Sequence, residues 1–334
     1  MPVPQTILTR KTKSAIFLVL TINDGGEDRV RDVLARTPGL NNAVSSRAPE
    51  AALAGIVSIG SDAWDRLFSG PRPRSLHPFI PRVGQVHTAP STPADLLVHI
   101  KADQMDLCYE LGRLITEELG DAVTVVDEVH GFRYFDLRDL IGFVDGTENP
   151  VGQAAIDAIT VGDEDPDFAG GSYVAIQRYV HDFSAWNSLS IAEQEAAIGR
   201  TKLDNVEMAD DVKPSNSHIA LNKVEDENGE EIDIVRDNMP YGDVGKGEAG
   251  TFFIAYSAGP EVTEEMLRKM FIGDPPGNHD RLLDFTTAVT GAQFFTPTID
   301  FLEDLPPAPG APEDTAAASA PRPSDGSLGI GSLH

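Results

Sequence analysis

The sequence predicts an α+β fold with two ferredoxin-like halves and a disordered C-terminal tail. Before residue 141, strand-like and helix-like segments follow the order β-α-β and then β-α-β, which is the order of a ferredoxin-like unit. The alternation resumes after residue 150. Beyond residue 305 the composition changes to Pro, Ala and Ser with few apolar side chains, which are too few to bury a core.

Runs of β-branched and aromatic residues mark the strands of the first half. We expect strands at 15–22, 54–59, 96–100 and 123–126, and helices at 28–35, 61–68 and 103–119. By periodicity alone 15–22 suits a buried helical turn equally well, but the turn-forming pair Gly25-Gly26 ends it early for a helix. In 103–119 the leucines recur at helical spacing, and Gly120 is suited to end that helix.

The second half repeats the pattern. We expect strands at 173–179 and 251–256, and helices at 191–200 and 261–271. We interpret this half as a degenerate duplication of the first. The chain then divides into an N-terminal domain (1–140), a C-terminal domain (141–304) and a tail (305–334), and both domains are of ordinary size.

The composition is strongly acidic, with 53 Asp and Glu against 26 Lys and Arg and a formal net charge of -27. No basic stripe displaces counterions from phosphates, so we expect neither a nucleic-acid partner nor an anionic membrane. No apolar run reaches the ~18 residues of a membrane helix. The first dozen residues lack the apolar core and cleavage site of a secretory signal, so we expect a cytoplasmic protein.

The most informative segment is 141–150, Ile-Gly-Phe-Val-Asp-Gly-Thr-Glu-Asn-Pro. Asp145 stands between an apolar approach and a turn-prone exit, with Gly142 and Gly146 on either side. Glycine allows positive φ or a close approach to a ligand, so the loop could present a carboxylate to a flat apolar group. The alternative is a tight interdomain turn with a solvated Asp145, because Gly, Asn and Pro are common in turns.

The nine residues from Gly142 to Pro150 resemble the signature of the dye-decolourising haem peroxidases, which carry a Gly-x-x-Asp-Gly motif. Downstream, His218, Arg236 and Asn238 fall where bacterial B-type members have their haem ligand and distal residues. The resemblance covers about residues 14–298. It implies two ferredoxin-like domains with antiparallel sheets, of the dimeric α+β barrel type, and one haem b per subunit in the second domain.

The resemblance also implies roles for single residues. Asp145 would shuttle a proton between the peroxide oxygens, and Arg236 would stabilise the negative charge that develops as the O–O bond breaks. Asn238 would hydrogen-bond the peroxide or a water, and His218 would be the axial ligand of the haem iron. Four residues around Asp145 would contact the cofactor: Val144, Gly146, Thr147 and Glu148.

An iron-bound imidazole needs a hydrogen-bond acceptor on its other nitrogen. Asp280 and Asp284 are candidates because they lie four residues apart, on one face if helical, and we favour Asp280. By sequence alone His181 and His279 are rival iron ligands. The single cysteine, Cys108, excludes attachment through Cys-x-x-Cys-His, so the haem would be held non-covalently.

The pair Asn228-Gly229 predicts a hairpin over 219–238, because this dipeptide favours the type I′ turn. In that register Glu227 faces Glu230. Residues two apart on a strand share a face, so Arg236 and Asn238 would lie together.

His218 would start the first strand of this hairpin, close to both residues. The alternative for Arg236, which is surrounded in sequence by acids, is a surface ion pair.

At the end of the chain, from Ser324 to His334, three apolar side chains stand among glycines and serines: Leu328, Ile330 and Leu333. The Leu-Gly-Ile-Gly-Ser-Leu core resembles the cargo-loading peptides of peroxidases that are packaged in encapsulin shells. The resemblance implies an encapsulin shell protein as partner and a place inside a cytoplasmic nanocompartment. The alternative is a frayed terminus.

We therefore predict a haem peroxidase that uses hydrogen peroxide to oxidise dyes, phenolic compounds or Mn(II) in one-electron steps. The resemblance implies a homo-oligomer, either a dimer or a hexamer. Two other functions use the same pocket: a haem-handling, deferrochelatase-like release of iron, and a peroxide-sensing haem module. Asp145 and Arg236 argue against the sensor, because passive binding needs neither.

Overall fold

The computed structural model describes residues 2–310, in which strands and helices alternate along the chain. The strands are β1 Ser14–Ile22, β2 Ala54–Gly60, β3 Arg82–Val83, β4 Thr88–Ala89, β5 Leu96–Ala102, β6 Val123–Phe132, β7 Ser172–His181, β8 Val235–Arg236, β9 Met239–Asp243, β10 Glu248–Ser257, β11 Thr286–Ala288 and β12 Ala292–Thr296. The helices are α1 Glu27–Ser45, α2 Ser61–Leu67, α3 Met105–Leu119, α4 Gln153–Ile159, α5 Phe183–Ser188, α6 Ile191–Ile198, α7 His218–Leu221, α8 Glu261–Phe271 and α9 Ile299–Glu303.

The two halves share one sheet with the order β6-β1-β5-β2-β12-β7-β10-β8, in which all neighbours are antiparallel. The first half contributes β6-β1-β5-β2 and the second half contributes β12-β7-β10-β8. In both groups of four, the first strand along the chain (β1 or β7) lies between the last one (β6 or β12) and the third one (β5 or β10), as in a ferredoxin-like unit. Strands β2 and β12 join the halves, and β3 and β4 form a separate ribbon. The predicted α+β fold of two ferredoxin-like halves is confirmed.

The sheet curls until its outer strands β6 and β9 lie against each other. A Cβ atom on Gly131 of β6 would lie 2.5 Å from Cβ of Met239 on β9, so this approach requires glycine. Phe17 and Phe252 stack inside the curled sheet with ring centroids 4.0 Å apart. The result is the predicted barrel-like arrangement.

Strand β1 is apolar from Ala15 to Leu20 because both of its faces are buried. Ile16 and Leu18 face α1 and α3, whereas Phe17 and Val19 face the barrel interior. In the second half the side chains of β10 also point to two different environments. Its inward residues join the interior core, and Phe253 on its other face lines a cleft.

A polar cluster lies inside the barrel where the halves meet. Nζ of Lys101 on β5 donates a 2.6 Å hydrogen bond to Oδ2 of Asp237, and both side chains are buried. Nδ1 of His99 lies 2.9 Å from the hydroxyl of Tyr256. Asp237 stands between Arg236 and Asn238, so the first half anchors the segment that carries both residues.

We expect acid to destabilise the fold through His99. Burial, aided by the positive charge of Lys101, lowers the pKa of His99 from 6.5 to about 3. Since the folded pKa lies below the unfolded one, only the unfolded chain takes up a proton between these values, and stability falls as pH falls through that range. From pH 7 to pH 5 this group should cost about 2 kcal/mol.

Denaturant unfolding at the two pH values measures the loss. His99→Gln removes the group and should reduce the pH dependence by that amount. His130→Gln is the matched control, because His130 is exposed and paired with Glu128. If the free energy of unfolding of His99→Gln depended on pH as strongly as that of wild type, His99 would be protonated equally easily in the folded and the unfolded chain.

Three sequence expectations about the fold are wrong. Helix α1 does not end at residue 35 but continues through Pro38 to Ser45. A proline removes only one helical hydrogen bond, and buried Val44 keeps the last turns packed. The tail was expected to begin at residue 305, but the carbonyl of Pro306 accepts a 2.7 Å hydrogen bond from Arg31. The segment from Ser324 to His334 lies outside the described residues.

The third error concerns the hairpin at 219–238. His218 begins the short helix α7, which Ser217 caps by accepting from the backbone N–H of Ala220. The turn itself is present, but Asp226 rather than Glu227 pairs across it, since its N–H donates to the carbonyl of Glu230 at 2.8 Å.

Three residues therefore form that loop, and Gly229 takes the left-handed conformation with φ of 80°. This is the bulged turn, not the two-residue turn that was expected.

Within residues 2–310, no helix combines the length and apolarity that crossing a lipid bilayer requires.

Candidate active site

A cleft opens on the outer face of the second half, with about 960 Å³ of empty space including its mouth. Its walls are the loop 139–145, strands β7, β8 and β10, and helices α7 and α8. Most of the lining is apolar, with Phe143, Phe253, Met266 and Met270 among the larger side chains. The three predicted catalytic residues and the predicted iron ligand line it: Asp145, Arg236, Asn238 and His218.

The loop that carries Asp145 is held by its own backbone. Gly142 and Gly146 adopt φ of 97° and 74°, conformations that favour glycine, so the two glycines are required by the turn. The N–H of Asp145 donates to the carbonyl of Leu137 at 2.8 Å. Trp186 Nε1 donates to the carbonyl of Ile141 at 3.1 Å. The Asp145 carboxylate is therefore presented from a fixed loop, not from a freely solvated turn.

Asn238 holds the Asp145 carboxylate. Its Nδ2 lies 3.0 Å from Oδ2 of Asp145, and its Oδ1 accepts a 3.0 Å hydrogen bond from the N–H of Ile254. Because a backbone N–H can only donate, the amide orientation is fixed and Nδ2 must face the acid. Asn238 thus anchors Asp145, a contact that sequence reasoning did not foresee.

Arg236 is not a surface ion pair. Among residues 2–310 its guanidinium makes no salt bridge, and its Nε is buried without a hydrogen-bond partner. An arginine retains its charge at any physiological pH. A partly buried cation without a carboxylate, on the wall of a cleft, can stabilise negative charge that appears there.

His218 reaches the cleft from the first turn of α7. Its Nδ1 lies 2.7 Å from Oδ2 of Asp280, which is fully buried. Oδ1 of Asp280 accepts from the N–H of Leu282 at 2.9 Å, so Asp280 caps a turn and orients the imidazole at once. Asn222 donates to the carbonyl of His218 at 2.7 Å. Nε2 of His218 is the nitrogen left for a ligand in the cleft.

Asp284, the other candidate partner, contacts His87 and His279 instead. The segment 281–284 is a 3-10 turn and not an α-helix, so the two acids do not share a face as expected.

His181, a rival iron ligand by sequence, has both nitrogens engaged. Nε2 lies 3.2 Å from Oδ1 of Asp139, and Nδ1 lies 2.8 Å from the hydroxyl of Thr286. Burial opposes ionisation of Asp139, but the hydrogen bond and charge of His181 outweigh it and hold the pKa of that carboxyl below its usual value. Thr251 donates a further hydrogen bond to Asp139. This pair forms part of the wall and leaves no nitrogen for a metal.

Sequence models of one protein family match both halves of the chain. The C-terminal model of the Dyp-type peroxidases matches residues 136–301, and the N-terminal model matches residues 4–133. The chain belongs to the Dyp-type peroxidase family. The peroxidase assignment thus covers the half with the cleft and the half that supports it.

Individual members of the family are similar over nearly the full length. A dye-decolorizing peroxidase of Rhodococcus erythropolis is 62% identical over 99% of this chain and 97% of its own length. The encapsulated DyP-type peroxidase of Mycobacterium smegmatis superimposes with a TM-score of 0.91 and 60% identity, covering 92% of this chain and 100% of that one. A variant of DypB from Rhodococcus jostii, solved in complex with heme, superimposes with a TM-score of 0.88 and 56% sequence identity. The match covers 90% of this chain and 98% of that one.

The remaining residues predicted to contact the cofactor separate into two groups in this Dyp-type peroxidase. Val144 lines the cleft, whereas Gly146 and Thr147 are not part of its lining. Thr147 accepts a hydrogen bond from Asn205 at 2.9 Å. Glu148 borders a smaller adjoining cavity and pairs with Arg200 at 2.6 Å.

Asn149, in the same signature, is a residue that sequence reasoning missed. Its Nδ2 donates to the carbonyl of Arg236 at 2.6 Å, and its Oδ1 accepts from the N–H of Arg236 at 3.0 Å. This two-point clamp joins the loop of Asp145 to the strand of Arg236. Lys11 adds a 3.0 Å hydrogen bond to the same carbonyl. Asn149 is therefore a positioning residue for Arg236.

We expect Asn149→Ala to slow the reaction with peroxide by about 10- to 100-fold, because small misplacements of a positioned group are costly. The matched control is Asn205→Ala, which removes a hydrogen bond to the same loop without touching Arg236. Rapid-mixing kinetics should show the loss in the peroxide step, with the KM for a reducing dye unchanged. Equal effects of the two substitutions would mean that general loosening of the loop is responsible.

Proposed function

We propose that this peroxidase binds one haem b in the cleft, with His218 as the axial ligand of the iron. One observation carries the proposal: an imidazole oriented by Asp280 shares the cleft with the anchored pair Asp145–Asn238 and with unpaired Arg236. Its oxidising substrate is hydrogen peroxide. Its reducing substrates are dyes, phenolic compounds or Mn(II), oxidised by single electrons.

The residues of the cleft suit haem. The wall surface is mostly apolar, and Asp145, His218 and Arg236 are among its polar residues, a combination found in pockets that bind cofactors. His218 offers Nε2 while its Nδ1 is held by a carboxylate, the arrangement typical of metal-bound histidine. The buried, unpaired Nε of Arg236 marks the position where a polar partner is missing from the protein itself.

When bound, the haem iron would supply the electrons that reduce peroxide and then recover them from substrates one at a time. The protein residues handle protons and charge. Asp145 accepts a proton from one peroxide oxygen and returns it to the other, which leaves as water. Arg236 stabilises the negative charge on the departing oxygen. Asn238 keeps the Asp145 carboxylate aimed into the cleft, and Asp280 makes His218 a more basic ligand.

Mn(II) is included because carboxylates lie next to the cleft. Glu148 and Glu231 border the smaller cavity that His218 and Arg236 also reach, and hard divalent cations prefer oxygen ligands. The net charge of -27 further concentrates cations at the surface.

The test is a product assay on haem-loaded protein with peroxide and each reducing substrate in turn. Oxidised dye, coupled phenol or Mn(III), with the haem intact, supports the peroxidase. Release of iron with recovery of free porphyrin would favour the deferrochelatase-like alternative. Haem binding without turnover would favour the sensor.

We also propose that the chain is a homo-oligomer, dimer or hexamer, carried as cargo in a cytoplasmic encapsulin nanocompartment. The similar protein from Mycobacterium smegmatis is described as encapsulated, and the terminal segment resembles a cargo-loading peptide. Light scattering tests the oligomeric state.

Deleting residues 324–334 should abolish loading into a co-expressed encapsulin shell, because the apolar anchors Leu328, Ile330 and Leu333 are lost. Co-purification of peroxidase with the shell measures loading. Peroxide turnover of the truncated protein should match that of the full chain. Unchanged loading would remove this segment as the docking element and leave the enzymatic proposal untouched.

A further inference from the structure

We infer that His87, His279 and Asp284 bind a divalent transition-metal ion of the zinc class outside the cleft. Nε2 of His87 and Nε2 of His279 each lie 2.9 Å from the same oxygen, Oδ1 of Asp284. The three donor atoms lie within 4.8 Å of one another. The cluster plays no part in the chemistry proposed for the cleft.

The donor set suits such an ion. Two imidazole nitrogens and one carboxylate oxygen are common zinc ligands, with bonds of about 2.0–2.2 Å. Tetrahedral ligands at that range lie about 3.3 Å apart, so small side-chain rotations bring these atoms into place. The side chains are 21%, 22% and 42% exposed in the order given, which leaves room for water as a fourth ligand.

The backbone brings the ligands together before any ion binds. His87 precedes β4, in a turn closed by a 2.9 Å hydrogen bond from the N–H of Gly84 to its carbonyl. A Cβ atom on Gly84 would lie 1.9 Å from the carbonyl oxygen of Phe271, so this turn is pressed against the end of α8. Close to the other two ligands, the N–H of Asp280 donates to the carbonyl of Met270 at 2.9 Å.

A bound ion would connect the two halves of the protein. His87 belongs to the first half, and Asp284 ends the turn that Asp280 caps. The ion would therefore hold a loop of the first half against the turn whose capping residue, Asp280, orients His218. The competing account needs no metal: the two imidazoles each donate an N–H to one carboxylate.

Calorimetric titration of the haem-loaded, full-length protein with zinc chloride separates these accounts. Wild type should bind one ion at this site. His87→Gln, His279→Gln and Asp284→Asn should weaken binding by about tenfold or more. His130→Gln is the control, since His130 also pairs with a single carboxylate, Glu128 at 2.7 Å. The haem absorbance spectrum shows that each variant remains folded.

Thermal unfolding provides an independent measurement. Zinc should raise the unfolding temperature of wild type and His130→Gln, and leave the three ligand variants unchanged. Absence of zinc binding in wild type would overturn the inference in favour of the hydrogen-bonded cluster. Equal binding in all variants would also overturn it, because the ion would then lie elsewhere on the acidic surface.

Discussion

His218→Ala should lower the affinity of the protein for haem by about 100-fold or more, since the proposed iron–nitrogen bond is lost together with the contact that Asp280 orients. Asp280, which is fully buried in the wild-type chain, loses its 2.7 Å partner in this variant. The measurement is the rate of haem transfer to an acceptor globin, together with the haem content after purification. Added imidazole should fill the space left by the side chain and restore part of the binding.

The control for this prediction is His181→Gln. His181 also lines the cleft, but the protein occupies both of its nitrogens. Glutamine keeps a polar contact to Asp139, so this variant should retain haem. If His181→Gln lost haem and His218→Ala kept it, the assignment of the ligand would be reversed.

Much of the fold was predictable because local pattern and tertiary packing agree. Helix α8 was expected at 261–271 and is found there, with Met266, Leu267 and Met270 buried. Acids in its first turn and Arg268 and Lys269 in its last favour that placement. Helix α1 was underestimated because local pattern does not show the tertiary packing of buried Val44, with which the helix continues beyond Pro38 to Ser45.

The residues of the candidate site could be predicted from the sequence, but the hydrogen bonds between them could not. The signature and the resemblance named Asp145, Arg236 and His218, and the structure brings all three to one cleft. The clamp from Asn149 to Arg236 joins residues 87 apart in sequence, so no local pattern contains it. The α7 helix was mistaken for a strand because four residues are too few to show a period.

The same distinction applies to Asn238. From sequence it was expected to bind peroxide or water. The structure adds a second role, since its Nδ2 donates to Asp145 and its Oδ1 accepts from the N–H of Ile254. The amide nitrogen carries two N–H groups, so this contact is compatible with the expected one. Only the pairing of neighbouring strands decides this, because Ile254 lies on β10 and Asn238 lies between β8 and β9.

Arg236→Leu should slow the reaction of the haem-loaded protein with peroxide by about 100- to 1,000-fold, the cost of removing one group that stabilises developing charge. Leucine keeps the bulk in the cleft but not the cation. Asp145→Asn should have the smaller effect, because a water can carry the proton whereas no other Lys or Arg of the described residues lines the cleft. The second-order rate constant of the peroxide-induced absorbance change, measured by stopped flow, ranks the two variants.

Arg133→Leu removes the same charge from a neighbouring position and separates a local contact from the general field. Arg133 borders a small cavity that Asp145 and Arg236 also reach, but it does not line the cleft. The Arg133→Leu variant should therefore react with peroxide within a few-fold of the wild-type rate. Arg236→Lys should recover part of the lost rate, since lysine restores the charge without the planar fork of donors.

If Arg133→Leu slowed the reaction as much as Arg236→Leu, the rate would depend on the summed positive potential. Asn149 would then have no specific partner to position, and the clamp on Arg236 would serve the fold alone.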